Sequence, residues 1–125
     1  MMAAGVTSSV NAPQPLAELS QRLLRERLES EPRATLLAGF WRPWCFMAAL
    51  TWPGLRALGE RWPALSVVRV KLDLGEYPDP AFRIRWLPAT VLFVHGKVRA
   101  RWYSGTVPWA DIERLSRLAL AEGQA

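Results

Sequence analysis

Three short apolar runs constrain the fold more tightly than anything else in this chain: Thr35–Trp41 (TLLAGFW), Ser66–Leu74 (SVVRVKLDL) and Thr90–Val94 (TVLFV). Runs of this length, apolar throughout or rich in β-branched residues, suit strands buried in a sheet. Between the first two lies Trp44–Arg61, with Ala48, Leu50, Leu55 and Leu58 among its apolar positions, which predicts a helix. Pro53 inside it predicts a kink, because proline lacks an N–H and crowds the preceding turn. Strand, helix and strand make a βαβ unit. Downstream, His95-Gly96 predicts a tight turn into Lys97–Tyr103, whose alternation of basic and apolar residues fits a half-exposed antiparallel strand. Upstream, Leu16, Leu19, Leu23, Leu24 and Leu28 recur at helical spacing and predict a helix over Leu16–Glu29, ended by Pro32. Ala81–Arg85 predicts one helical turn before Pro88, and Pro108 opens a last helix with Trp109, Ile112, Leu115 and Leu118 on one stripe. The expected class is α/β, a central mixed sheet of four to five strands flanked by helices on both faces. Residues 16–121 would form one domain, between a disordered tail at 1–15 and a short tail at 122–125.

One core is what 125 residues accommodate, and 50% apolar with 22% charged residues excludes wholesale disorder. No apolar run approaches the roughly 18 residues of a membrane span. The opening residues lack the basic and apolar regions of a secretory signal, so a cytoplasmic protein without a membrane partner is expected. A single cysteine, Cys45, excludes an internal disulfide and a thiolate zinc cluster. A single histidine, His95, removes most remaining metal and Ser-His-Asp chemistry, and its place before Gly96 fits a turn. No metal and no cofactor is expected. The net charge is +5, but the arginines are scattered and form no basic block, so nucleic acid is not an expected partner.

Chemistry is concentrated in Phe40-Trp41-Arg42-Pro43-Trp44-Cys45-Phe46-Met47-Ala48. Cys45 is placed just after a buried strand and at the start of a helix, where unpaired N–H groups and the helix dipole favour a thiolate. The competing reading is an inert, small core residue. The segment resembles thioredoxin, a family that carries F-W-x-x-W-C-x-x-C at the end of its first central strand. Phe40-Trp41, Trp44 and Cys45 stand in that register, and Pro53 matches the family's helix proline eight residues after the first cysteine. Leu87-Pro88-Ala89-Thr90-Val91-Leu92-Phe93 matches its cis-proline segment, Gly96-Lys97-Val98 the Gly-x-Val that follows, and Lys71-Leu72-Asp73 its short strand with a terminal aspartate. The resemblance spans about residues 16–120 and implies a thioredoxin fold with Leu87-Pro88 cis.

Three positions depart from the pattern: Ala48 stands at the second cysteine, Gly39 at a buried aspartate that assists proton transfer, and Trp86 at a small residue. Dithiol turnover needs an internal thiol to resolve the mixed disulfide, so ordinary thioredoxin catalysis is not expected. A second resemblance, carried by Pro88-Ala89-Thr90 and by Pro108-Trp109-Ala110-Asp111-Ile112, is to the hydrogenase-expression branch of thioredoxin-like proteins (the HyaE/HupG type). It implies an assembly chaperone for a hydrogenase small subunit. The leading expectation is a module that binds a client protein or peptide in a groove formed by Trp41, Trp44, Phe46, Arg85, Trp86, Leu87 and Pro88. The alternative is a monothiol oxidoreductase with Cys45 as nucleophile, and a third reading is a packing scaffold with Cys45 inert. Trp52, Trp62, Trp102 and Trp109 are expected as core or helix-packing residues. Arg83 and Arg85 are expected to flank the proline loop, and Arg99 and Arg101 to share one face of the last strand.

Overall fold

A computed structural model describes residues 16–103 and 108–124. The three apolar runs become the middle of a five-stranded sheet ordered β1-β3-β2-β4-β5. Its strands are β1 (Ala17–Ser20), β2 (Thr35–Trp41), β3 (Leu65–Lys71), β4 (Ala89–Val94) and β5 (Lys97–Tyr103). The helices are α1 (Gln21–Ser30), α2 (Phe46–Ala49), α3 (Trp52–Arg61) and α4 (Trp109–Gln124), with a 3-10 turn at Pro80–Phe82. β1, β3 and β2 run parallel, and β4 and β5 are antiparallel to their neighbours. One face packs Leu36, Ala38, Phe40, Val68, Val70, Val91 and Phe93 against Leu24 of α1 and Phe82. The other packs Leu37, Leu65, Leu92 and Val94 against Leu55 and Leu58 of α3 and Ile112 and Ala119 of α4. Except for Trp41 at its end, β2 is buried on both sides, as the unbroken run TLLAGFW requires. The expected tail at 1–15 lies outside the described residues.

Several expected elements are redrawn. The first helix does not begin at Leu16: Ser20 is its N-cap, with Oγ accepting from Leu23 N–H at 3.1 Å. The preceding Ala17–Ser20 extends instead and pairs in register with Val68–Lys71. Pro53 does not kink one helix but separates two. Having no N–H, it cannot continue the ladder through Leu50–Thr51, and it sits in the first turn of α3, where no N–H is needed. Thr51, buried at the break, donates its hydroxyl to Ala48 O at 2.6 Å. In α4 the buried stripe is Ile112, Ser116 and Ala119, while Leu118 is exposed. That helix also runs past residue 121 to Gln124, where Arg99 of β5 holds Glu122 at 2.8 Å.

A bulge in β5 overturns the expectation that Arg99 and Arg101 share a face. Leu92 pairs with Ala100 but Phe93 with Val98, so Arg99 is an added residue. Arg99 then reaches α4, whereas Arg101 donates Nε–H to Phe82 O at 2.7 Å on the opposite face. The hairpin turn itself uses positive φ at both His95 (55°) and Gly96 (78°), the type I′ pattern that matches strand twist.

α4 is fastened by carboxylates. Arg61 and Trp62 Nε1–H donate to Glu113, Trp102 Nε1–H donates to Asp111, and Arg99 pairs with Glu122. The Arg114 hydrogen bond, seconded by Trp102, holds Asp111 below its ordinary value, and the bonds from Arg61 and Arg99 do the same for Glu113 and Glu122. Lowered folded-state values mean stability that is complete above the ordinary carboxylate range and is lost as pH falls through the lowered values. Thermal melts should therefore hold level down to that range and then decline. A melting temperature that rises on acidification there would contradict these contacts.

Candidate active-site groove

The carboxyl ends of parallel β2 and β3 and the amino end of antiparallel β4 lie along one edge of the sheet. This brings together the loops after β2, after β3 and before β4, where α/β sheets commonly bind ligands. Between them is a groove of about 420 Å3 lined by Arg42, Pro43, Trp44, Cys45, Tyr77, Pro78, Arg85, Trp86 and Leu87.

The first wall is a turn. Cys45 N–H donates to Arg42 O at 3.3 Å, with Pro43 and Trp44 as the central residues. Proline followed by φ 74° at Trp44 fits a type II turn, whose third position ordinarily takes glycine. A tryptophan held there costs on the order of 1–2 kcal/mol, yet its ring is 91% exposed and recovers little by burial. Phe46 at the start of α2, 89% exposed, and Leu50 just after it, 71% exposed, leave further apolar surface in water. Arg42 donates to Asp73 O at 3.1 Å and lies 5.8 Å from the Tyr77 ring centroid, tying this wall to the loop after β3.

That second loop is held by Gln21, a buried residue whose polar type and place at a helix start give no sign of this role. Its Oε1 accepts from Asp79 N–H at 2.6 Å, and its Nε2 donates to Tyr77 O and Glu76 Oε2, each at 3.1 Å. Tyr77 and Pro78 also escaped notice because Gly75–Pro80 reads only as turn chemistry. An exposed aromatic in such a loop was the available signal. The third wall precedes the cis Leu87–Pro88 bond. Trp86 packs at a tilt against Tyr103 with centroids 4.9 Å apart, and Arg85 N–H donates to the Tyr103 hydroxyl at 3.1 Å.

Of the sequence-predicted residues, Trp44, Cys45, Arg85, Trp86 and Leu87 line the groove together. Trp41, Phe46 and Pro88 do not. The Trp41 ring turns to α3, edge-on to Trp52 at 5.9 Å and 5.8 Å from the Arg69 guanidinium. Pro88 is buried, and Phe46 projects outside. Cys45 is partly exposed and N-caps α2 without a side-chain hydrogen bond. Because α2 is a single turn, the helix dipole expected behind the thiol is largely missing. Ala48 is buried one turn on from Cys45, where no second sulfur exists. Among the described residues no cluster of three His, Cys, Asp or Glu side chains is arranged to hold a metal ion. No helix among them is long and apolar enough to cross a membrane.

No protein-family model matches the chain. It is 29% identical over 77 residues to thioredoxin 1 of Chlorobaculum tepidum, covering 60% of this chain and 74% of that protein. The crystal structure of a chloroplastic thioredoxin z superposes with a TM-score of 0.64 at 26% identity, covering 89% of this chain and 99% of that one. Oxidised mitochondrial thioredoxin 3 of Saccharomyces cerevisiae gives 0.63 at 20% identity, over 82% and 93%. The fold is the thioredoxin fold, and these likenesses in sequence and structure support a thioredoxin-like protein. It has one cysteine and no dithiol motif.

Gly39 explains one departure physically. A Cβ there would lie 2.8 Å from the Trp52 ring and 2.9 Å from a Leu55 methyl, so the place of an acidic side chain is already filled. Gly39→Asp should destabilise the fold by roughly 2–3 kcal/mol through overpacking and an unpaired buried carboxylate. Combining it with Trp52→Ala should cost less than the sum of the two single changes in denaturant titrations. Strict additivity would show that the two residues do not share this space.

Proposed function

We propose that the domain binds an extended client segment in the groove between the Trp44–Cys45 turn and the Arg85–Leu87 loop. The observation that carries this reading is an apolar rim left in water. Trp44 is held out by a strained turn, and Trp86, 55% exposed, lines the same groove. Exposed aromatics around a concave site are the anchors of polypeptide recognition. Arg42 and Arg85 line the groove and no carboxylate does, which favours a client with acidic residues beside its apolar ones. A hydrogenase small subunit is the particular client that the second resemblance suggests. A twin-arginine leader is a poor match for this charge.

Binding is read from tryptophan fluorescence on titration with an acidic, aromatic-containing peptide. Trp44→Ala should weaken it by about tenfold, roughly 1.4 kcal/mol. The melting temperature should hardly change, because the ring is exposed and alanine meets the same left-handed backbone cost as tryptophan. Bound peptide should also slow alkylation of Cys45 by iodoacetamide. Unchanged affinity together with unprotected alkylation would remove the groove from consideration.

A second reading is favoured by the place of Cys45 on the groove wall, partly exposed. Its thiolate would attack a client disulfide, forming a mixed disulfide and releasing one client thiolate. A small thiol from solution, itself then oxidised in the mixed disulfide, would have to free Cys45, because Ala48 supplies no sulfur. Insulin reduction with a dithiol reductant should therefore be very slow and should rise on Ala48→Cys. Fast turnover by the unaltered chain would make the enzyme reading the better one.

A further inference from the structure

On the sheet face turned towards α1, a second cavity of about 360 Å3 is lined by Ala81, Phe82, Arg83, Gly96, Lys97, Val98 and Arg101. Three of these seven residues are cations and none is an acid. Elsewhere arginines such as Arg25, Arg61, Arg69 and Arg99 have carboxylate partners. No ion pair among the described residues involves Arg83, Lys97 or Arg101. Like charges gathered round one hollow repel and weaken the fold unless something compensates them. The nearest carboxylate along the chain is already engaged, since Asp79 caps the 3-10 turn through Ala81 N–H and faces Arg25.

The cations are also pre-arranged. The bulge at Arg99 sends Arg101 to this face, where its Nε–H is fixed on Phe82 O, and no acceptor among the described residues takes its terminal nitrogens. Arg83 is held in the left-handed region at φ 53°, with its N–H on Pro80 O at 3.1 Å and its carbonyl accepting from the Tyr103 hydroxyl. Lys97 follows directly on the two-residue turn. Residues locked in unfavourable backbone geometry persist where surrounding structure fixes them, and they concentrate at binding sites.

We propose that this cavity is an anion site for a compact phosphoryl group, a diphosphate by charge count. Two guanidinium groups and an ammonium match its oxygens, and the volume suits a small ligand rather than a polymer. The site is separate from the Cys45 groove and shares none of its lining residues.

The full chain is titrated with inorganic pyrophosphate, using potassium chloride at matched ionic strength as control. At ten times the dissociation constant, the melting temperature should rise by roughly 5 °C. Amide NMR shifts should centre on Phe82–Arg83 and Gly96–Val98. Arg83→Gln combined with Lys97→Gln should weaken binding at least about tenfold without lowering the ligand-free melting temperature, since both side chains are exposed and mutually repulsive. Adenosine diphosphate distinguishes the source: equal affinity assigns the free anion, and tighter binding an esterified diphosphate. An equal shift with potassium chloride, a variant that still responds fully, or NMR shifts centred on Arg42 and Arg85 would each overturn the proposal.

Discussion

The contact between Trp52 and the backbone of Gly39 is the constraint on which the rest of the structure depends. A glycine in the middle of the most buried strand lets an indole lie directly against the sheet, and that indole is the first residue of α3. α3 is thereby set close to β2, with Leu55 and Leu58 filling the layer beside it. The same ring receives Trp41 edge-on and the Arg69 guanidinium at 5.3 Å, so the end of β2 is drawn towards the helix layer. The Arg42–Cys45 turn emerges from that end, and its position is inherited from the packing underneath.

Much of this was legible in the sequence because burial and backbone chemistry are local signals. The runs TLLAGFW and TVLFV can only be interior strands, and His95-Gly96 gave the hairpin its register. The misread parts depended on tertiary partners. Ala17–Ser20 has no strand signature of its own, and its extended form comes from an edge of β3 that is open to pairing. The bulge at Arg99 leaves no mark in the alternation of Lys97–Tyr103, and it was needed to see that Arg99 and Arg101 diverge. Pro53 was correctly read as an obstacle, but whether a helix bends or restarts depends on what anchors the next turn. Here Trp52 anchors it.

The groove follows the same division. Trp44, Cys45, Trp86 and Leu87 were identifiable from residue type and order, whereas Tyr77 enters only because Gln21, just beyond the end of the neighbouring β1, holds the 76–79 backbone. No sequence pattern joins residues more than fifty positions apart through one amide. The chemistry that results is asymmetric. The thiol is present and accessible, but the second sulfur and the buried acid of a dithiol enzyme are replaced by a methyl group and a tryptophan ring. What remains at this end of the sheet is a concave surface.

The bulge in β5 has a consequence for how this molecule meets copies of itself. β5 is an outer strand of seven residues, long enough to template another chain through its unpaired N–H and C=O groups. The added residue breaks the even spacing of those groups and sharpens the local twist, so an incoming straight strand loses register partway along. Arg99 and Arg101, leaning to opposite faces, place a guanidinium in the path of a sheet stacking from either side. A protein with seven tryptophans and several exposed aromatics is thus guarded, at the longer of the two edge strands among the described residues, against growing into a continuous sheet.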